Sequence, residues 1–178
     1  MKKGLVSSGV ALAFLAGGAF AADDVATAVV GSVKAIDKGT KTVVVKTASG
    51  TEHTLHFTGK TIDHGAVAVG KGSKDAFEGM KEGDDIVVHY TVKGADKTAV
   101  EVDHVGKDGL KVSVAAVKSV DHGAKTVTVK TAEGAEETYH LTDQAAKETA
   151  KGLKTGGKAT IYYTEDAGKK VAHFFSSN

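Results

Sequence analysis

Lys41 to Gly50 read KTVVVKTASG, and 84 residues later Lys125 to Gly134 read KTVTVKTAEG. In the first stretch Val43 and Val45 flank Val44; in the second Val127 and Val129 flank Thr128. A position that accepts valine in one copy and threonine in the other faces water, and the valines on either side face a core. That alternation has the two-residue period of a β-strand. The copy extends on both sides: from Val33 to Thr58 against Val117 to Thr142, 16 of 26 positions are identical. It resumes after a length change, where GMKEGDDIVVHYTVKGADKTAVEV from Gly79 answers GLKTGGKATIYYTEDAGKKVAHFF from Gly152. Two copies of this size describe a duplicated domain and not a solenoid.

Working outward, Leu55 and Phe57 read inward with Thr54, His56 and Thr58 outward, matched by Tyr139 and Leu141 inward with Thr138, His140 and Thr142 outward. Ile86, Val88 and Tyr90 answer Ala159, Ile161 and Tyr163, and Val100 and Val102 are aligned with Ala172 and Phe174. Asp37-Lys38-Gly39 and Asp121-His122-Gly123 carry turn chemistry. In TDQAAKETAKGLKTGG, Thr142 or Asp143 caps a short helix that Gly156 or Gly157 stops. Small residues at the middle of the long first strand, Gly31-Ser32 and Ala115-Ala116, sit where a barrel strand bends. The expected fold is mainly β: two tandem five-stranded OB-like barrels, each with a short helix between strands three and four. The expected divisions are a signal peptide over 1–21, a first barrel over 22–106 with a loop insertion near 62–74, and a second barrel over 107–178. Domains this small are marginal alone, which favours packing of one copy on the other.

The chain begins with Lys2 and Lys3, an apolar run from Leu5 to Ala16, and the small-residue site Ala19-Phe20-Ala21. This is the three-part pattern of a secretory signal, cut near Ala21/Ala22. It places the mature chain in a bacterial periplasm, with release outside the cell as the alternative, and no later segment is apolar enough for a membrane span. All 23 basic residues are lysine, against 22 acidic ones. Without a net field, and without the arginine fork that reads phosphate and guanine, nucleic acid is not an expected partner. There is no cysteine, hence no disulfide, thiolate site or cysteine nucleophile.

The pattern V-x-x-V-D-x-x-x-K-T-V-x-V-K-T-x-x-G, followed by L-K-x-G-x-x-x-x-I-Y-Y-T and G-K-K-V-A, resembles the small OB-like domains of exported bacterial proteins of unknown function. More distantly it is similar to the periplasmic copper chaperone of the Cus efflux system, over both copies. That resemblance implies the fold and a binding role. The chaperone's methionine and tryptophan ligands have no counterpart: there is no Trp, Met80 stands near the helix position, and the matching third-strand positions are His53 and Leu55.

No Gly-x-Ser-x-Gly, His-Glu-x-x-His or phosphate loop is present, so the sequence predicts a non-enzymatic binding or interaction module. Its partner would be an envelope protein or small ligand on the outer face of strands two and three, lined by Val44, Thr54 and His56 and by Thr128, Thr138 and His140. One alternative is a weak Cu or Zn binder. In an OB barrel strands three and five are neighbours, which sets outward His140 against His173, and His56 against Glu101, with Asp103 further along and His89 on the adjacent fourth strand. A further alternative is an envelope spacer with no cofactor.

Overall fold

The computed structural model describes residues 27–64, 76–77, 79–107 and 109–177. The segment read as a signal peptide and nearly all of the glycine-rich insertion lie outside the described residues. The order is β1 (Thr27–Asp37), β2 (Thr42–Lys46), β3 (Glu52–His56), β4 (Ile62–His64), β5 (Asp85–Lys93), β6 (Asp96–His104), β7 (Lys111–Asp121), β8 (Thr126–Lys130), β9 (Glu136–Leu141), α1 (Asp143–Gly152), β10 (Lys158–Asp166) and β11 (Lys169–Ser177). The protein is mainly β.

The second half closes as a five-stranded barrel in the order β10-β11-β9-β8-β7. The first half is a six-stranded sheet, β3-β2-β1-β5-β6-β4, whose β3 also touches β6 where His56 meets Thr98. Each long first strand serves two neighbours. β1 pairs with β5 over Thr27–Ser32 and with β2 over Ser32–Asp37; β7 pairs with β10 over Lys111–Ala116 and with β8 over Ala116–Asp121. The changeover falls at Ser32 and Ala116, in the small-residue stretches read from sequence. At Gly31 the packing is tight enough that a Cβ would stand 2.3 Å from the Lys46 carbonyl oxygen.

The repeated decapeptides take matching local geometry. Lys41 and Lys125 both adopt left-handed backbone, φ 55° and 50°. Their carbonyls accept from the amides of Phe57 at 2.8 Å and Leu141 at 2.9 Å. The alternating valines 43, 45, 127 and 129 are fully buried, as are Leu55 and Tyr139, and they fall into two separate apolar cores, one per half.

Two details differ from the sequence reading. α1 forms as expected, with the Thr142 hydroxyl accepting from the Ala145 amide at 3.1 Å as its N-terminal cap. In the first half, however, the described residues at the corresponding place form β4, which runs parallel to β6. The extended chain there carries Ile62 opposite Glu101 and Asp63 opposite Val102, an additional strand, and residues 65–75, over which the expected helix would continue, lie outside the described residues. The last strand is also offset by one. Tyr90 pairs with Ala99 directly after His89 pairs with Glu101, leaving Val100 as an extra residue; likewise Tyr162 and Tyr163 pair with Phe174 and Ala172, leaving His173. These are β-bulges, and beyond them the core residues are Val102 and Phe175, so Val102 corresponds to Phe175 rather than to Phe174.

The two halves meet along the outer faces of β5–β6 and β10–β11. Val87 and His89 point away from the first core, yet both have zero exposure. The His89 ring lies edge-on to Phe174 with centroids 6.2 Å apart, and Phe174 is in turn 6.0 Å from Tyr162. The connection between the halves is short and hydrogen-bonded: the Leu110 amide donates to the His104 carbonyl at 2.7 Å and the Gly106 amide to the Leu110 carbonyl at 3.0 Å. At Gly109 a Cβ would stand 2.1 Å from the His104 oxygen, so the turn closes only on glycine.

Candidate metal centre

β5 and β6 present His89 and Glu101 as direct cross-strand partners on the face that meets the second half. Two residues further along β6 comes Asp103, on the same face. In the second half the corresponding pair is Tyr162 and Phe174, so an ionic patch on one half lies against an aromatic one on the other. Into this seam the second half adds two polar groups: His173 from the β11 bulge and Glu148 from α1. The bulge matters because it turns the imidazole away from the alternation that a regular strand would impose.

The groups converge closely. His173 Nδ1 is 3.1 Å from Asp103 Oδ1 and 3.8 Å from Glu101 Oε1, while His89 Nε2 is 3.7 Å from Asp103 Oδ2. Ligand atoms of His89, Glu101 and Asp103 all lie within 4.8 Å of one another. His89 Nδ1 contacts Glu148 Oε1 at 2.8 Å. Because a carboxylate only accepts, Nδ1 is the donor, and the ring's other nitrogen faces the cluster. That nitrogen, Nε2, is buried and makes no hydrogen bond. His173 Nε2 is held at 3.3 Å by the Thr164 hydroxyl, which leaves its Nδ1 aimed at the carboxylates.

Electrostatics follow from this packing. Burial by itself lowers the pKa of His173, but hydrogen bonds and charge from Asp103 and Glu101 outweigh it and raise the value to about 9. At His89 burial likewise lowers the pKa, and the hydrogen bond and charge of Glu148, with the charges of Asp103 and Glu101, reverse the direction to a net rise. Without a metal, the His173 imidazole therefore holds its proton at neutral pH, and the carboxylates around His89 favour its charged form in the same direction. A second acid–imidazole contact lies nearby on β4 and β6, His104 Nε2 to buried Asp63 Oδ1 at 3.7 Å.

Of the residues singled out in the sequence, His89, Glu101 and His173 thus come together with Asp103, across the boundary between the copies and not on one barrel's outside. His140 lies opposite Val171 on β11 and is exposed; His56 lies opposite Thr98 on β6 and is exposed. Val44 pairs with Thr54, and Thr128 with Thr138, their hydroxyls 3.3 Å apart. The exposed large apolar side chains among the described residues, Ile62, Val92, Val112 and Val114, belong to other strands. Glu148 was not foreseen, since a glutamate on a polar helix carries no signal by itself. The seam did have a sequence signal. IVVHY is apolar at consecutive positions, which marks a strand buried on both faces.

No protein-family profile matches the chain, and no significant match was found among curated proteins. Solved structures with some likeness include silver(I)-bound CusF, at 15% identity and a TM-score of 0.34, covering 45% of this chain and 97% of that one. A substituted copper(II) CusF from Escherichia coli matches at 16% identity and 0.34, covering 48% and 98%. Drosophila Unr CSD456 matches at 12% and 0.36, covering 85% and 61%. Likenesses this distant transfer no chemistry to this chain.

Proposed function

We propose that the protein is a non-enzymatic binding module, two OB-like barrels in tandem, that holds a divalent transition metal such as Zn²⁺ or Cu²⁺ between its halves. His89 Nε2, His173 Nδ1, Glu101 and Asp103 would be the ligands. The observation that carries this reading is His89 Nε2, a buried nitrogen with no hydrogen bond, aimed at two carboxylates while Nδ1 is fixed by Glu148. A metal-bound imidazole is generally oriented in this way, by a carboxylate on its far nitrogen. Bonds of about 2.0–2.1 Å in a tetrahedron place donors roughly 3.3 Å apart. Three of the separations in the cluster, 3.1, 3.7 and 3.8 Å, lie near that figure, and the ligand atoms of His89, Glu101 and Asp103 fall within 4.8 Å of one another.

Imidazole and carboxylate donors suit Zn²⁺ and Cu²⁺ better than hard cations. The protein would act after export, a reading that rests on its first 21 residues. Calorimetric titration of the tag-free mature chain with Zn²⁺ and Cu²⁺ tests the function. Binding with one ion per chain, lost in His89→Gln and retained in His140→Gln, is the expected result. Equal affinity in the His89 variant would remove the seam as the site.

A further inference from the structure

The chain has almost no sulfur to offer a metal. Cysteine is absent, and the methionines are Met1, in the segment read as a signal peptide, and Met80. Met80 is buried in the apolar core of the first half, whereas His89 and Glu101 stand as cross-strand partners on the outer face of β5 and β6. The seam is therefore built of nitrogen and oxygen donors alone. Soft thiolate and thioether donors select Cu⁺, while nitrogen and oxygen donors suit Cu²⁺.

Charge points the same way. Three carboxylates meet the two imidazoles: Glu101 and Asp103 face His173 Nδ1, Asp103 also faces His89 Nε2, and Glu148 holds His89 Nδ1. All five side chains are nearly out of water, between 0 and 11% exposed. With the imidazoles neutral on a metal, a divalent ion offsets two of the three negative charges and a monovalent ion only one. Each charge left over is costly, because little water reaches it.

Geometry opposes this preference, since Cu²⁺ favours a tetragonal shell and the donors are spaced nearer to a tetrahedron. The donors sit at the ends of side chains and can shift, but the charge of the ion cannot. A full unit of charge at bonding distance from buried carboxylates outweighs the distortion of one shell.

We propose that the seam discriminates between the oxidation states of copper, holding Cu²⁺ and releasing the metal when it is reduced to Cu⁺. This rests on the reading of the seam as a metal site. The step is a one-electron transfer: Cu²⁺ takes an electron from a small reductant such as ascorbate, no covalent bond of the protein changes, and Cu⁺ leaves to a soft acceptor outside the chain. Each ascorbate anion reduces a pair of Cu²⁺ ions and ends as dehydroascorbate and a proton.

The test loads the mature chain with Cu²⁺ and titrates it anaerobically with ascorbate in the presence of a Cu⁺-specific chelator. Affinities for Cu²⁺, Cu⁺ and Zn²⁺ are measured alongside by competition. Cu²⁺ should bind at least about a thousandfold more tightly than Cu⁺, because a unit of charge is lost beside buried carboxylates. At about 59 mV per tenfold for one electron, the bound couple should lie about 180 mV or more below the aqueous one. Glu101→Gln keeps an oxygen donor and removes a charge, so it should narrow the preference about tenfold or more. Should that variant fail to fold, Glu148→Gln removes a charge without touching a ligand and should narrow the preference by a smaller factor. Cu⁺ held within about tenfold of Cu²⁺, copper that stays on the protein after reduction, or a preference unchanged by removal of the charge would overturn the proposal and leave the metal site standing. Zn²⁺ bound at the seam without Cu²⁺ would do the same. Binding of neither divalent ion would overturn the metal reading itself.

Discussion

Glu148 Oε1 of α1 lies 2.8 Å from His89 Nδ1 of β5, so a helix of the second half orients an imidazole of the first. The contact fixes which nitrogen carries the proton and which faces Asp103. Replacing the carboxylate by an amide keeps an acceptor but removes the charge that supports the ring's basicity. Glu148→Gln should therefore leave the fold intact and weaken metal binding by about tenfold or more, as measured by competition with a chelator. Unchanged affinity would separate Glu148 from the site.

Metal uptake should displace protons. His173, with a pKa of about 9, carries at pH 7 a proton that a metal ion must replace, and the raised pKa of His89 adds to the release in the same direction. Calorimetry in buffers of different ionisation enthalpy should report release of up to about two protons per ion, with affinity increasing with pH. A heat independent of the buffer would contradict this.

The metal-free protein should lose stability in the alkaline direction. For a group whose pKa is raised by folding, the stabilisation is fully present below the unfolded value near 6.5 and disappears as pH rises through the folded value. For His173 that window runs from about 6.5 to about 9 and corresponds to about 3 kcal/mol. His89 acts in the same direction. His53, whose pKa is lowered by burial and by Lys97, acts oppositely on the acid side. Thermal melts in chelator should thus show Tm falling between pH 6.5 and 9.5, and in His173→Gln the fall should be shallower. A Tm that is flat or rises across this range would contradict the charged state of the seam.

Gly31 sets a limit on the first half. A Cβ there would meet the Lys46 carbonyl at 2.3 Å, so the strands must separate to admit it. Gly31→Ala should cost about 1–3 kcal/mol in denaturant unfolding. The second half carries Ala115 at the corresponding position, which marks the close approach as particular to β1 and β2.

Core alternation and the bend of the long first strands were legible in the sequence because a two-residue period and a repeat are local signals; the six-stranded order of the first half, with β4 beside β6, was not. Val43, Val45, Leu55 and Tyr139 are buried for the reason their pattern gives. The bulges were not legible, because one extra residue in a strand leaves composition unchanged and only the partner strand reveals it. That single residue moved His173 away from His140 and into the seam. The face-to-face packing left a trace in the unbroken apolar run at Ile86 to Val88, but the identity of the facing strands depended on tertiary contacts. His89 and Glu101 were recognisable as chemistry-bearing residues, and their convergence with Glu148 was not.

The claim that both halves donate ligands to one metal ion is tested most directly by X-ray absorption at the zinc edge of the loaded mature protein. The account predicts a four-coordinate shell of mixed nitrogen and oxygen donors at about 2.0–2.1 Å, with the multiple-scattering signature of two imidazoles falling to one in His173→Gln. A shell of water oxygens, or an imidazole count that does not change in that variant, would contradict it.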